Sequence, residues 1–202
     1  GDGLYVNTAG IGLIKDTTPA IHPAAVAPGD AILINGDIGR HGIAIMAQRE
    51  GLALETTLES DCANLSGLVA QLLDAGIEIH CLRDLTRGGL ASALIEIAEA
   101  AKVSIQLDEP AIPIDDAVNG VCEILGFDPL YVANEGVMAV FLPEGQATQA
   151  LEVLRQHPLG AAAALIGQVT GSASPGHVHL RTAFGTERSL IRLSGEQLPR
   201  IC

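Results

Sequence analysis

Twice in this chain a short apolar run breaks off at a glycine-rich turn, and apolar residues then resume at helical spacing. Ala31 to Asn35 leads into Gly36-Asp37-Ile38-Gly39-Arg40-His41-Gly42 and then Ile43 to Ala47. Ile77 to Leu82 leads into Arg83-Asp84-Leu85-Thr86-Arg87-Gly88-Gly89, followed by Leu90, Leu94, Ile97, Ala98 and Ala101. The change from a continuous apolar run to a helical period reads as strand, turn, helix. Units of this kind cannot bury their apolar faces alone, so helices must stack on a sheet.

The remaining pattern extends the same grammar. Leu65, Leu68, Val69 and Leu72 predict a helix, and the alternation over Val103 to Leu107 predicts a strand. Ile114 to Leu125 reads as a helix closed by Gly126, Val137 to Leu142 as the most apolar strand, and Gln146 to His157 as a helix that ends before Pro158. Ala164 to Val169, Val178 to Leu180 and Ser189 to Leu193 supply late strands. The expected class is α+β, a mixed sheet covered by helices.

Thr17 to Gly29 is rich in proline and alanine and reads as a linker. The expected organisation is therefore 1–28, a strand at Leu4 to Asn7 left over from a preceding domain plus the linker; 29–193, the main α/β domain; and 194–202, a flexible tail. The opening at Gly1, in mid-pattern, marks the chain as a fragment on this reading.

Composition narrows the functions. The 202 residues are 48% hydrophobic, enough for a substantial core. A net charge of −13 would repel a polyphosphate backbone, and 2% aromatic residues leave few faces for stacking bases or sugars. Nucleic acid is excluded as a partner. No apolar run approaches the roughly 20 residues of a membrane span, and no secretory leader is evident, which places the protein in the cytoplasm, away from membranes. Cys62, Cys81, Cys122 and Cys202 are far apart with no C-x-x-C pair, as expected of reduced thiols. The first three sit among apolar neighbours and are expected to be inert core residues.

Four segments are candidates for chemistry. In the turn Arg83 to Gly89, Gly88 and Gly89 would let backbone N–H groups approach an anion at a helix start, with Arg87 adding charge and Asp84 holding a divalent metal. The same turn also reads as a tight loop in which Thr86 or Asp84 caps the helix. His41 in the other turn is expected to be structural, bonding a backbone carbonyl, and His177 with His179 to be surface decoration on one face of a strand. In Tyr131-Val132-Ala133-Asn134-Glu135-Gly136, Glu135 is a candidate general base, although a hairpin turn with Asn134 or Gly136 at positive φ is the favoured reading. Lastly, Ser194 to Cys202 ends in a thiol on a polar arm that reaches about 30 Å when extended, a geometry suited to a carrier.

The ending Pro199-Arg200-Ile201-Cys202, with Arg83 to Gly89, Ala133-Asn134-Glu135-Gly136 and Gly3-Leu4-Tyr5-Val6-Asn7-Thr8-Ala9-Gly10, resembles the HypE family of hydrogenase maturation factors. The likeness covers nearly the whole chain. It implies a fold like the C-terminal domain of aminoimidazole ribonucleotide synthetase and an ATP-dependent dehydratase that turns S-carbamoyl into S-cyano on Cys202. It further implies ATP with Mg2+ as cofactors, Cys202 as carrier, Glu135 as base, and Asp84, Thr86, Arg87, Gly88 and Gly89 as nucleotide contacts, Asp84 also toward the metal. Implied partners are a carbamoyltransferase of the HypF type, a HypC–HypD complex and a second copy. The family's N-terminal domain supplies most metal ligands, so this chain alone is expected to be inactive. A small-molecule kinase or synthetase of the same superfamily, and a docking domain that only presents the tail, stand as alternatives.

Overall fold

A computed structural model describes residues 3, 7, 9–13, 20–51 and 58–192 of the chain. The strand expected at Leu4 to Asn7 falls mostly, and the tail from 194 to Cys202 wholly, outside the described residues. Seven described strands, β1 (Asp30–Ile34), β2 (Cys81–Asp84), β3 (Val103–Asp108), β4 (Met138–Pro143), β5 (Ala164–Ser172), β6 (His177–Arg181) and β7 (Glu187–Leu190), form one sheet. Their spatial order is β2-β4-β1-β5-β3-β6-β7. Neighbours run antiparallel except β3 and β6, which are parallel, so the sheet is mixed as expected. Five helices accompany it: α1 (Arg40–Glu50), α2 (Ser66–Asp74), α3 (Gly89–Ala101), α4 (Asp116–Leu125) and α5 (Ala147–Arg155).

Burial explains the two strand patterns seen in the sequence. All five residues of β1 are buried. Ile32 and Ile34 join Leu90 and Leu94 of α3 on one face, while Ala31 and Leu33 join Leu68 and Leu72 of α2 and Ala150 and Leu154 of α5 on the other. A strand covered on both sides is a continuous apolar run. By contrast β3 alternates, with Val103, Ile105 and Leu107 buried and Ser104, Gln106 and Asp108 half-buried, because helices cover one face there. Each fully buried leucine or isoleucine contributes about 1.5–3 kcal/mol relative to exposure, so the two-sided half of the sheet is the stable platform.

Two expectations need correction here. The strand expected from Ile77 begins only at Cys81: Ile77 and Ile79 are buried, but in an irregular segment that packs on α2. Cys81 and Cys122 are buried core thiols, both pushed up to about 11 by burial, with Asp128 adding to the rise at Cys122. Cys62, however, is exposed. No described helix is long and apolar enough to cross a membrane.

A buried carboxylate pins the entry to the sheet. Asp30, 3% exposed, lies 2.8 Å from Nδ1 of His80 and accepts the Ala27 N–H at 2.9 Å, while the His80 carbonyl accepts the His22 N–H. Burial lowers the His80 pKa, but the hydrogen bond and charge of Asp30, helped by Glu78, outweigh it and leave the imidazole raised above its usual range. A raised folded pKa means that the pair stabilises fully below the unfolded value of about 6.5 and fades as pH rises through the folded value. The stability difference between wild type and His80→Gln, read from denaturant midpoints, is expected to shrink from pH 6 to pH 8.5. A constant difference would show that the pair acts without its charge.

Candidate functional site

The starts of α1 and α3 face each other across the segment Leu130 to Gly136. Both helices open on a glycine in the left-handed region, Gly39 at φ 87° and Gly88 at φ 74°, with no side-chain cap. Neither Thr86 nor Asp84 caps α3, so that part of the expectation fails. The Thr86 hydroxyl instead donates to Asp84 Oδ2 at 2.8 Å. A Cβ added to Gly89 would sit 2.6 Å from the Val132 carbonyl oxygen, and one added to Gly42 would sit 2.4 Å from the Val132 side chain. The glycines thus let two helix starts close on one strand of backbone.

Asn134 locks this arrangement. Its side chain is fully buried; Oδ1 accepts the Gly39 N–H at 2.6 Å, and Nδ2 donates to the carbonyls of Leu85 at 3.0 Å and Val132 at 3.1 Å. Its own N–H also donates to Leu85. The hairpin turn expected here is overturned, since neither Asn134 nor Gly136 has positive φ. The segment is polar because it staples two loops, and the asparagine amide supplies both donor and acceptor.

A second strap comes from a residue that the sequence pattern did not single out. Asp61 accepts the N–H groups of Glu135 at 3.1 Å and Gly136 at 3.3 Å, and the Glu135 carbonyl accepts from Ala63. Gly136 must lack a side chain, because an added Cβ would lie 1.8 Å from the Asp61 carbonyl oxygen. Glu135 is consequently held by its backbone alone. Its half-buried carboxylate has no hydrogen-bond or ion-pair partner among the described residues.

The charged side chains divide into engaged and available. Arg83 is tied to Glu96 at 2.8 Å and lies 3.8 Å from Asp84, and Arg40 is tied to Asp37 at 2.5 Å and Asp115 at 3.2 Å. Arg87, exposed at the start of α3, has no such partner among the described residues. The backbone N–H groups of Leu90 and Ala91, in the first turn of α3, have no acceptor among them either. Leu90 and Ala91 are fully buried, so at this helix start the exposed Arg87 is the group able to meet a phosphate, within the favourable field of the helix's positive end. Asp84 is 62% exposed and offers one metal ligand; no three His, Cys, Asp or Glu side chains gather as a metal cage among the described residues.

His41 departs from its expected role, since Nδ1 lies 2.8 Å from the Ser60 hydroxyl rather than a backbone carbonyl. His177 and His179 sit on one face of β6 as expected, their rings 4.7 Å apart and tied to Ser104 and Ser189. They lie on a different part of the sheet from the two glycine turns. Cys202 is outside the described residues.

The family model for the C-terminal domain of AIR synthase related proteins matches residues 27–179. This chain belongs to that family. Within the AIR synthase related family, it is 49% identical over 203 residues to the carbamoyl dehydratase HypE of Rhodobacter capsulatus, covering 100% of this chain and 58% of that protein. A solved structure of the hydrogenase maturation protein HypE in complex with ATP superposes with a TM-score of 0.86 at 44% identity, over 94% of this chain and 57% of that one. A HypE–HypF complex gives a TM-score of 0.81 at 39% identity, over 86% and 56% respectively. The chain thus spans somewhat under three-fifths of these relatives. The resemblance read from the sequence is borne out, as is the AIR synthase related fold.

Proposed function

We propose that this chain is the C-terminal part of an ATP-dependent carbamoyl dehydratase that converts an S-carbamoyl group on Cys202 into S-cyano, source of the cyanide ligand of a nickel-iron hydrogenase. The observation that carries the reading is the 49% identity to a carbamoyl dehydratase along the whole of this chain. The site is consistent with it. Dehydrating a primary amide needs an anion site for the transferred phosphate and a base for the amide proton.

The start of α3 suits the first need. Arg87, exposed at that turn, would neutralise the charge of the phosphate, and Gly88 lets the turn close on Ser92, whose Oγ a Cβ at Gly88 would approach to 2.2 Å. Thr86 keeps Asp84 oriented. Mg2+ is usually held by one or two carboxylates plus substrate phosphates, so Asp84 would serve as a single ligand. Glu135 suits the second need, a carboxylate on a fixed backbone with both oxygens free of protein partners among the described residues. Phosphorylation of the carbamoyl oxygen releases ADP. One N–H proton is lost as the oxygen is phosphorylated; removal of the remaining N–H proton by Glu135 then drives the C–O electrons onto the departing phosphate, leaving S–C≡N.

The same reading places the full-length protein in the cytoplasm as a homodimer, loaded by a HypF-type carbamoyltransferase and unloading onto a HypC–HypD complex. It also assigns residues 1–28 to the edge of a nucleotide-binding domain, 29–193 to the α/β domain and 194–202 to the carrier tail. On this division the chain by itself does not turn over.

Intact mass spectrometry of the full-length protein, incubated with ATP, carbamoyl phosphate and the transferase, tests the proposal. A Cys202-dependent gain of about 43 Da followed by a loss of about 18 Da is the expected result for a covalent carrier. No adduct, or one that survives Cys202→Ala, moves the assignment to a small-molecule kinase or synthetase. For the anion site, Asp84→Asn and Gly88→Val are each expected to weaken ATP binding by about tenfold or more in calorimetric titration. Unchanged affinity in both would remove the α3 start from the site.

A further inference from the structure

We infer that Tyr131 and Glu99 are positioning residues for the dehydration step: together they clamp the root of the C-terminal arm and so set the local concentration, at the site, of the group carried on Cys202. The inference rests on the dehydratase reading above. It starts from three consecutive residues at the root of the arm, each held in a different way. Leu190, 5% exposed, packs in the core cluster that includes α3. Ile191 is held by its backbone, since the Tyr131 hydroxyl donates to its carbonyl at 2.9 Å and accepts its N–H at 3.3 Å. Arg192 sets its fork on Glu99 of α3, with Nε 3.2 Å from one carboxylate oxygen and a terminal nitrogen 2.6 Å from the other.

The chemistry of both holders suits a clamp. Burial raises the Tyr131 pKa, so at neutral pH the phenol keeps the proton that it donates. The hydrogen bond from Arg192 holds Glu99 below the usual carboxylate range, and a bidentate arginine–carboxylate pair fixes direction as well as distance. Both holders also belong to the framework of the site. Tyr131 lies in the 130–136 segment that carries Glu135. The start of α3 closes on that same segment, where a Cβ added to Gly89 would lie 2.6 Å from the Val132 carbonyl oxygen and 2.8 Å from the Tyr131 carbonyl carbon. Glu96, three residues before Glu99 and so on the same face of α3, binds Arg83 at 2.8 Å, and Arg83 lies 3.8 Å from Asp84. The root of the arm, Glu135 and the Asp84–Arg87 turn are therefore fixed to one body.

Tether length decides what such a clamp does. Tyr131 and Glu135 are four positions apart, so their Cα atoms lie at most about 14 Å from each other. Beyond Arg192 the arm has ten residues, 193 to 202. A flexible chain of ten residues spans about 16–19 Å on average, the same order as the distance to be bridged. Effective concentration peaks when those lengths match and then falls roughly as the −3/2 power of tether length. β7 needs the clamp because it is an edge strand paired with β6 alone among the described residues, and Glu187, Arg188 and Ser189 are exposed. Besides the clamp and Leu190, the Arg188–Asp128 ion pair at 2.9 Å ties it down. With the clamp open, β7 is free to peel back to Arg181 at the end of β6. The tether then doubles to about twenty residues, and the concentration of the carried group at the site falls about threefold.

The test combines Tyr131→Phe with Glu99→Arg in the full-length protein, the second change setting like charge against Arg192. Amides of residues 187–192 are expected to exchange with solvent at least about tenfold faster, a readout independent of turnover. Single-turnover dehydration of the carbamoylated variant is expected to slow about threefold at saturating ATP, with ATP affinity unchanged. Adding Arg192→Glu re-forms the ion pair with reversed polarity and should recover at least about half of the lost rate. Unchanged exchange would show that these contacts do not hold the root, and a normal dehydration rate would show that the position of the root does not matter; either result overturns the inference, as does a charge reversal that recovers nothing. Arm length separates a tether from a merely structural role. Ten glycine and serine residues inserted after Arg192 should slow the wild type about threefold but the clamp-broken variant less than about twofold, because a tether already doubled loses less by the same addition. Equal slowing of both, or a parallel loss of ATP affinity, would assign Tyr131 and Glu99 a structural role and overturn the inference as well. Absence of any carbamoyl adduct in wild type would instead sink the underlying function.

Discussion

Asn134→Ala is expected to destabilise the protein by about 2–6 kcal/mol, because it leaves two buried groups unmet at once, one in the turn before α1 and one in the 130–136 segment. Gly39 loses the acceptor for its N–H and the Val132 carbonyl loses the amide donor, around a side chain with no solvent contact, while the Leu85 carbonyl keeps the backbone N–H of residue 134. Each such group costs on the order of 1–3 kcal/mol when left unmet. For a protein of this size the melting temperature should fall by roughly 10 °C or more. Hydrogen exchange should rise first at the starts of α1 and α3, where the two loops separate. A melting temperature within about 2 °C of wild type would mean that the loops find other partners, and that Asn134 does not hold the site together.

Glu135→Gln should have the larger effect on activity. Because Glu135 is fixed through its backbone N–H and carbonyl, to Asp61 and Ala63, the substitution leaves the frame untouched and removes only the base. General-base catalysis commonly contributes 10²–10⁴, so dehydration of the carbamoylated protein should slow about 100-fold or more. Carbamoyl loading and ATP affinity should not change. Single-turnover mass spectrometry separates these steps, and a normal dehydration rate in the variant would take Glu135 off the list. A parallel loss of ATP affinity would point instead to a misplaced α3 start.

Much of the fold was legible in the sequence, and the reason differs from element to element. β3 was readable because one face is solvated, which forces alternation, and α3 because its apolar residues recur along one side next to two glycines. The extent of β2 was not readable. Ile77 and Ile79 are as apolar as strand residues, yet they are buried by packing under α2 in an irregular segment, and apolar burial by itself does not distinguish the two. Cys62 was misjudged for a related reason: the polar strap that holds residues 60–63 at the surface is anchored by a segment far along the chain.

The candidate site was legible in its parts and illegible in its assembly. Gly88 and Gly89 announced a close approach at the start of α3, and Glu135 stood out as a carboxylate between apolar runs. Asn134 read as a turn residue because asparagine tolerates positive φ, whereas its bonds reach Leu85, 49 positions away, and Gly39, 95 positions away. Asp61 acts across 74 and 75 positions, and nothing in its neighbours marks it. Sequence by itself determined the elements, the mixed sheet and the family, because periodicity and glycine placement are local consequences of burial and backbone sterics. Only the tertiary structure decided that α1 and α3 start on opposite sides of one segment and that Asn134 and Asp61 staple it, because those hydrogen bonds join residues whose proximity exists only after the chain has folded.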